Sequence, residues 1–205
     1  MPTQCFMLEV TNHYRRHLRR YVYNRDQEKC PYIGSHGYHH AMNLLDELVL
    51  DDPKDENVCG DRYPHDKGPW PTHCPCGYQF QPQDEWQLFV QHLYSRSDTG
   101  ELIDLREAPA GAMWYANWMI ERRTKPEPGQ TGTYFGPDGH CLVVKTPAGD
   151  WMVDGPSTNG NGWTRTGVPP LVTANPSIWV GCPETVPPKG YHGFLQNGTL
   201  TDPLT

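Results

Sequence analysis

Pro82-Gln83-Asp84-Glu85-Trp86-Gln87-Leu88-Phe89-Val90-Gln91-His92-Leu93-Tyr94 is the stretch on which the fold class turns. Trp86, Phe89, Val90, Leu93 and Tyr94 recur at i, i+3, i+4, i+7 and i+8, the spacing of one apolar helix face. Pro82 stands where a first-turn proline is tolerated, and Asp84 and Glu85 favour the positive end of a helix. Asp98-Thr99-Gly100 then stops it. The reading is one main amphipathic helix. A second helical turn is expected over residues 110–118, where Trp114 and Trp118 share a face, and the Leu44, Leu45, Leu48 spacing fits a helix turn or two. Both aromatic stripes read as core.

The rest of the chain reads as strand and loop. Residues 5–10 and 19–23 have strand character. Cys141-Leu142-Val143-Val144-Lys145 and Trp151-Met152-Val153 flank a Gly-containing loop and predict a hairpin. Tyr191-His192-Gly193-Phe194-Leu195 and Thr199-Leu200 flank Asn197-Gly198, the strongest short hairpin signal. Ser177-Ile178-Trp179-Val180 reads as a short strand, and residues 155–167 as a flexible loop. The expected fold class is α+β. It is a β-rich, loop-rich single domain over residues 1–205, with one main helix and a zinc-knuckle-like segment. It divides into an N-terminal part, 1–81, and a helix-plus-hairpin part, 82–205.

Composition agrees with a folded, loop-rich chain. Twenty Gly and 21 Pro in 205 residues are many, but seven Trp, eleven Tyr and five Phe supply a core that disordered chains lack. Mean hydropathy is −0.72, so the core is modest and a metal or covalent staple is expected. No apolar run approaches the roughly 18 residues of a membrane helix, and MPTQCFMLEV lacks the basic and apolar regions of a signal peptide. Seven cysteines, an odd number, then read as reduced thiols or metal ligands instead of disulfides.

The net charge of −7 is uneven. Residues 1–29 carry six Lys/Arg, including Arg15, Arg16, Arg19 and Arg20, against three acids; the other 176 residues therefore sum to −10. One reading is that the basic arm meets the acidic stretch of residues 43–66, within the chain or between copies of it. Another is that the four arginines bind nucleic acid.

One constellation carries chemistry: His73-Cys74-Pro75-Cys76-Gly77. Tetrahedral zinc sites take thiolate and imidazole ligands in pairs, each pair on a tight turn. His73-x-x-Cys76-Gly77 has that spacing, and Cys74-x-Cys76 is a tighter alternative. His73 and Cys74 are adjacent and diverge in extended backbone, so both do not bind. Cys59 and His65 are the nearest candidates for a second pair, and Cys30 with His39 or His40 a more distant one. There is no His-Glu-x-x-His motif and no deaminase motif, so the expected zinc is structural. His140 and Cys141, adjacent in a strand, point to opposite faces and make no Cys–His dyad. The glycines of residues 155–167 make no nucleotide loop. His192 reads as a core histidine.

Together, Cys5-Phe6-Met7-Leu8-Glu9, Tyr38-His39-His40-Ala41-Met42, residues 70–80 from Trp-Pro-Thr-His-Cys-Pro-Cys-Gly to Phe80, residues 93–101 and 108–114, Gly136-Pro137-Asp138-Gly139, Trp151-Met152-Val153-Asp154-Gly155-Pro156 and Tyr191-His192-Gly193-Phe194-Leu195 resemble a family of uncharacterised tailed-bacteriophage proteins. The resemblance covers most of the chain and implies origin, not activity. In that family the knuckle reads as a plain Cys-x-x-Cys-Gly-Tyr, which puts the first ligand at His73 and favours His73 with Cys76 over Cys74. A longer Cys- and His-containing insert is expected before the Trp matched by Trp163; its absence here argues against a second metal site. The resemblance implies work in the host bacterial cytoplasm or in the virion, with phage or virion proteins or copies of the chain as partners. The leading expectation is a non-enzymatic, zinc-stabilised accessory protein. The alternatives are a nucleic-acid binder using the basic arm and a zinc-dependent hydrolase.

Overall fold

The computed structural model describes residues 2–23, 30, 38–50, 68–122, 131–157, 160–181 and 190–201. Cys59, His65 and the acidic residues from 51 to 66 lie outside them.

The expected main helix is a strand. Among the described residues there is no α-helix, so the α+β class is corrected to β. The strands are β1 (Thr3–Gln4), β2 (Phe6–Tyr23), β3 (Tyr38–Leu50), β4 (Glu85–Arg96), β5 (Leu102–Ile103), β6 (Ala112–Tyr115), β7 (Leu142–Thr146), β8 (Gly149–Met152), β9 (Thr164–Thr166), β10 (Thr173–Val180), β11 (Tyr191–Gln196) and β12 (Thr199–Thr201). A 3-10 helix, Asn117–Arg122, follows β6. The residues expected to make a second helical turn belong to β6 and this 3-10 segment, and Leu44, Leu45 and Leu48 lie in β3.

The reason lies in the residues of β4. Trp86, Leu88 and Val90 alternate in one apolar cluster, while Gln91 and Leu93 are buried further along. A strand covered on both faces shows an apolar residue at nearly every position and mimics a helical period. Asp84 does not open a helix. Its carboxylate accepts from the Gln81 N–H (2.7 Å) and from the Tyr78 hydroxyl (3.1 Å), closing the turn that leads into β4.

The chain forms two compact units. Unit one combines Met1–Val10 with Tyr94–Thr205. It holds an antiparallel sheet in the order β1-β12-β11-β10-β9, and a second group in which β6, β7 and β8 pair antiparallel. The start of β2 joins β6 in parallel, with Phe6 opposite Ala112. Both predicted hairpins form. Thr146 pairs with Gly149, and Gln196 pairs with Thr199 across Asn197 (φ 44°) and Gly198 (φ 72°), the two positive φ angles of a type I′ turn. Residues 164–166 of the expected loop make β9 instead.

Strand β7 explains how unit one is layered. Leu142 and Val144 pack with Met113, Trp151, Ile178, Leu195 and Leu200 in one core. Cys141 and Val143 face a second core with Phe6, Leu8, Trp114 and Ala116. Each such aliphatic side chain, fully buried, contributes about 1.5–3 kcal/mol. The Cys5 thiol is buried in the first core, and burial pushes its pKa up to about 12, so it is an apolar filler. His140 is exposed and Cys141 buried, on opposite sides of the backbone. His192 is also exposed, a correction to its core reading: β11 alternates Tyr191, Gly193 and Leu195 inward with His192, Phe194 and Gln196 outward.

An ion network centred on the buried pair Arg165 and Asp154 reaches the more exposed Asp138 in unit one. Arg165 Nε donates to Asp154 Oδ1 (2.8 Å), and its Nη2 donates to Asp138 Oδ1 (2.5 Å) and to the His140 carbonyl (3.3 Å). Asp154 also accepts from the Leu142 N–H, and Asp138 from the Tyr115 hydroxyl, both at 2.8 Å. Burial raises Asp154 above its ordinary value, more than Arg165 lowers it. At Asp138 burial is opposed by bonds from Arg165, Tyr115 and the His140 N–H, and the net direction is downward. Burial and then Asp138 push Tyr115 up to about 12. Gly136 lies flat on this guanidinium: a Cβ there would stand 1.9 Å from Arg165 Nη2.

Unit two, Thr11–Leu93, is built on β2 and β3. They pair antiparallel from His13 opposite Leu50 to Tyr23 opposite Tyr38, with an irregularity between Arg15 and His17. Strand β4 neighbours β2. Thr11 Oγ1 donates to the Leu93 carbonyl and His92 Nε2 to the Thr11 carbonyl, both at 2.6 Å. Leu18, Trp70 and Leu88 form one small core; Cys30, Cys74 and Phe80 form another. Among the described residues no helix is long and apolar enough to cross a membrane.

The Gly136 contact yields a stability test. The guanidinium is pinned by two carboxylates and cannot retreat. Gly136→Ala should therefore cost about 1–3 kcal/mol by overpacking, lowering Tm by roughly 3–10 °C in a chain of this size. Gly139→Ala, at φ 78° with open space around it, is the control for backbone strain alone and should cost about 1 kcal/mol. Equal melting shifts in thermal denaturation would show that Arg165 yields freely.

Candidate metal centre

The centre is built on a turn. The Gly77 N–H donates to the Cys74 carbonyl and the Cys74 N–H to the Tyr78 carbonyl, both at 2.8 Å. Phe80 N–H bonds the Thr72 carbonyl at 3.0 Å, and His73 bridges Gln79, so residues 72–80 form a miniature hairpin. Pro75 sits at the second turn position, where its fixed φ is favoured, and Gly77 takes φ 95° at the position that needs a left-handed residue. Nothing lies within 4 Å of where a Gly77 Cβ would stand, so glycine is required there for its φ and not for space.

This turn brings Cys74 and Cys76 to one side. Cys30 and His39, the latter near the start of β3 and opposite Val22, complete the group. Cys30 Sγ is 3.6 Å from Cys74 Sγ, and His39 Nδ1 is 3.2 Å from Cys76 Sγ. All four ligand atoms lie within 4.8 Å of one another. Tetrahedral zinc places two thiolate sulfurs about 3.8 Å apart, and a sulfur and an imidazole nitrogen about 3.6 Å apart. The Cys30–Cys74 and His39–Cys76 separations lie within a few tenths of an ångström of these spacings, and this Cys3His cluster could hold a metal ion such as zinc. Three thiolates and one imidazole are a soft donor set, which suits zinc better than magnesium or calcium.

The surroundings fix the ligands. The His39 ring stacks on Tyr78 at 4.2 Å and 5°. The Tyr78 hydroxyl is tied to Asp84, and Tyr78 meets Phe80 edge-on at 5.7 Å. Arg20 lies over Phe80, 5.4 Å from its centroid, and its guanidinium donates to the Gln81 carbonyl. Such outer contacts hold ligand orientation before an ion arrives. Burial disfavours the Cys74 thiolate, but the N–H groups of Cys76 and His40 and the thiols of Cys76 and Cys30 outweigh it, so the Cys74 pKa falls below its ordinary value. Cys76 moves up, through burial first and then through Cys74 and Cys30.

The structure separates the sequence candidates. It brings Cys74 and Cys76 together and leaves His73 out. His73 is exposed, and its ring bonds Thr72 Oγ1 at 2.8 Å. Cys59 and His65 lie outside the described residues. Cys30 and His39, the more distant alternative, supply the second pair. Of the four basic-arm residues, Arg20 is buried and Arg19 lies over the Tyr21 ring at 4.7 Å. Arg15 and Arg16 are partly buried along β2.

Comparison with protein-family models, curated proteins and solved structures finds no match to this chain.

Elemental mass spectrometry on protein purified without chelators tests the ligand set. Wild type and His73→Ala should both carry about one zinc per chain, and Cys74→Ser and His39→Ala should lose it. Zinc lost in His73→Ala and kept in His39→Ala would transfer the site to the other pairing. Ligands must shed protons to bind, so zinc retention should weaken as pH falls.

Proposed function

We propose that this chain is a zinc-stabilised, non-enzymatic accessory protein of a tailed bacteriophage, acting in the host bacterial cytoplasm or in the virion by binding phage proteins or copies of itself. The observation that supports it best is the composition of the Cys3His cluster. Four protein ligands fill a zinc tetrahedron, whereas a catalytic zinc keeps a position for water. The zinc in this reading is structural, a staple for unit two. The phage assignment rests on the joint motifs in the sequence.

The rival readings have less support. A zinc hydrolase needs an open coordination position. A nucleic-acid site on the basic arm would use Arg20, but that side chain is turned inward against Phe80 and the Gln81 carbonyl.

Mass spectrometry of purified particles of the encoding phage, with sedimentation of the isolated chain, tests the proposal. The chain should be found in particles or self-associate. A monomer absent from particles would overturn the virion reading. Duplex DNA and single-stranded RNA should not be retarded on a gel at low salt; retardation that weakens steeply with added salt would replace this proposal with the nucleic-acid one.

A further inference from the structure

Unit one contains a cleft of about 410 Å³, lined by Ser157, Asn161, Trp163, Pro176, Ser177 and Trp179. That volume is within the range of small-molecule sites, roughly 300–1,000 Å³. Among the described residues no charged side chain lines it.

Its two indoles are held in place before any ligand arrives. Trp179 is 57 % exposed, an uncommon position for so large an apolar ring. It pairs across strands with His192, whose ring lies 5.2 Å away at 32°, and its Nε1 donates to the Gly181 carbonyl at 3.2 Å. Trp163 Nε1 donates to the Ser177 carbonyl at 3.2 Å, and its ring meets Trp151 edge-on at 5.2 Å and 81°. Both indole N–H groups are thus engaged by backbone, and the rings offer only their faces and edges. Asn161 and Gly162 are also held: Ser157 N–H bonds the Asn161 carbonyl at 2.8 Å, and a Cβ on Gly162 would stand 2.0 Å from the Gly132 nitrogen.

We propose that this cleft binds a neutral carbohydrate, one or two pyranose residues stacked on Trp179 and bonded by Ser157, Asn161 and Ser177. A pyranose has an apolar C–H face and a rim of hydroxyls that both donate and accept. The cleft matches that pairing: a flat aromatic wall beside two hydroxyls and one amide, groups that also donate and accept. A phosphorylated or carboxylated ligand would bring a charge that none of the described lining residues answers. An aromatic peptide side chain would cover the indole but leave the polar rim without partners, which is costly once water is displaced. The site lies apart in sequence from the four metal ligands and does not depend on the zinc reading.

Calorimetric and tryptophan-fluorescence titrations with maltotetraose, cellotetraose, N-acetylchitotetraose and mannotetraose test the proposal. At least one should bind saturably. Trp179→Ala, on the surface and away from both cores, should fold with an unchanged circular dichroism spectrum and weaken binding by about tenfold or more, about 1.4 kcal/mol. Phe194→Ala, exposed on β11 but not lining the cleft, should bind as wild type. No saturation by any of the four up to about 10 mM, the range of very weak binding, would overturn the proposal. So would saccharide binding that survives Trp179→Ala. N-acetyltryptophanamide binding where no saccharide binds would overturn it in favour of a peptide pocket.

Discussion

Three thiols and an imidazole within 4.8 Å of one another are a demanding arrangement for a protein interior. Ionised, the sulfurs repel; neutral, they make only weak hydrogen bonds to the imidazole and to one another. A soft cation between them would resolve both difficulties. Among the described residues of unit two, buried apolar side chains cluster as Leu18, Trp70 and Leu88, with Leu45, Trp86 and Val90 against them, and as Cys30, Cys74 and Phe80, with Ala41, Cys76 and Tyr78 against them. Cys30 and Cys74 of the second trio also belong to the cluster that could hold a metal. A metal staple is a general remedy where a small core must order long strands. The staple also joins residues 44 apart in sequence, Cys30 and Cys74, a closure whose entropic cost the bound ion would offset.

Unit one is stabilised differently. Its two cores share β7, and Arg165 ties the buried Asp154 to Asp138 through charge-assisted hydrogen bonds. A buried ion network of this kind adds little net stability over an apolar equivalent, but removing one member leaves a charge stranded. What it does contribute is register. Arg165 on β9 meets Asp154 just after β8 and Asp138 in the loop before β7. Gly136 permits the last of these contacts by having no side chain.

Much of the β architecture was legible because its signals are local. Asn197-Gly198 and the loop between Val144 and Trp151 announce their hairpins through turn chemistry, and both form. The helix expected over residues 82–94 was misread because Trp86, Phe89, Val90, Leu93 and Tyr94 satisfy a helical period while lying on a strand with apolar neighbours on both faces. Their β-branched and aromatic character was the competing signal. The long β2 was legible only at its ends, since the run Arg15–Arg16 and Arg19–Arg20 masks a strand whose Leu18 is fully buried. At the metal centre the turn itself was visible in Cys74-Pro75-Cys76-Gly77. Its partners were ranked by sequence distance, which favoured Cys59 and His65 over Cys30 and His39. No local pattern states which remote segments a β-sheet brings together. His73 was preferred through its three-residue spacing to Cys76, but the turn points alternate residues the same way, and that selects Cys74.

Strand β1 pairs with β12, Thr3 opposite Leu200, and the Cys5 N–H bonds the Gly198 carbonyl at 2.7 Å. Unit two is spliced into the chain between Val10 and Tyr94. The order in which the ribosome releases the protein therefore matters. All four residues of the cluster precede Tyr94–Thr205 in the chain, so unit two can gather an ion before that larger part of unit one has emerged. The first strand of unit one must meanwhile wait, its edge unpaired, until residue 200 arrives. A nascent chain paused late in translation would present a finished insert on an unfinished host, and that waiting edge is where a chaperone would have most to protect.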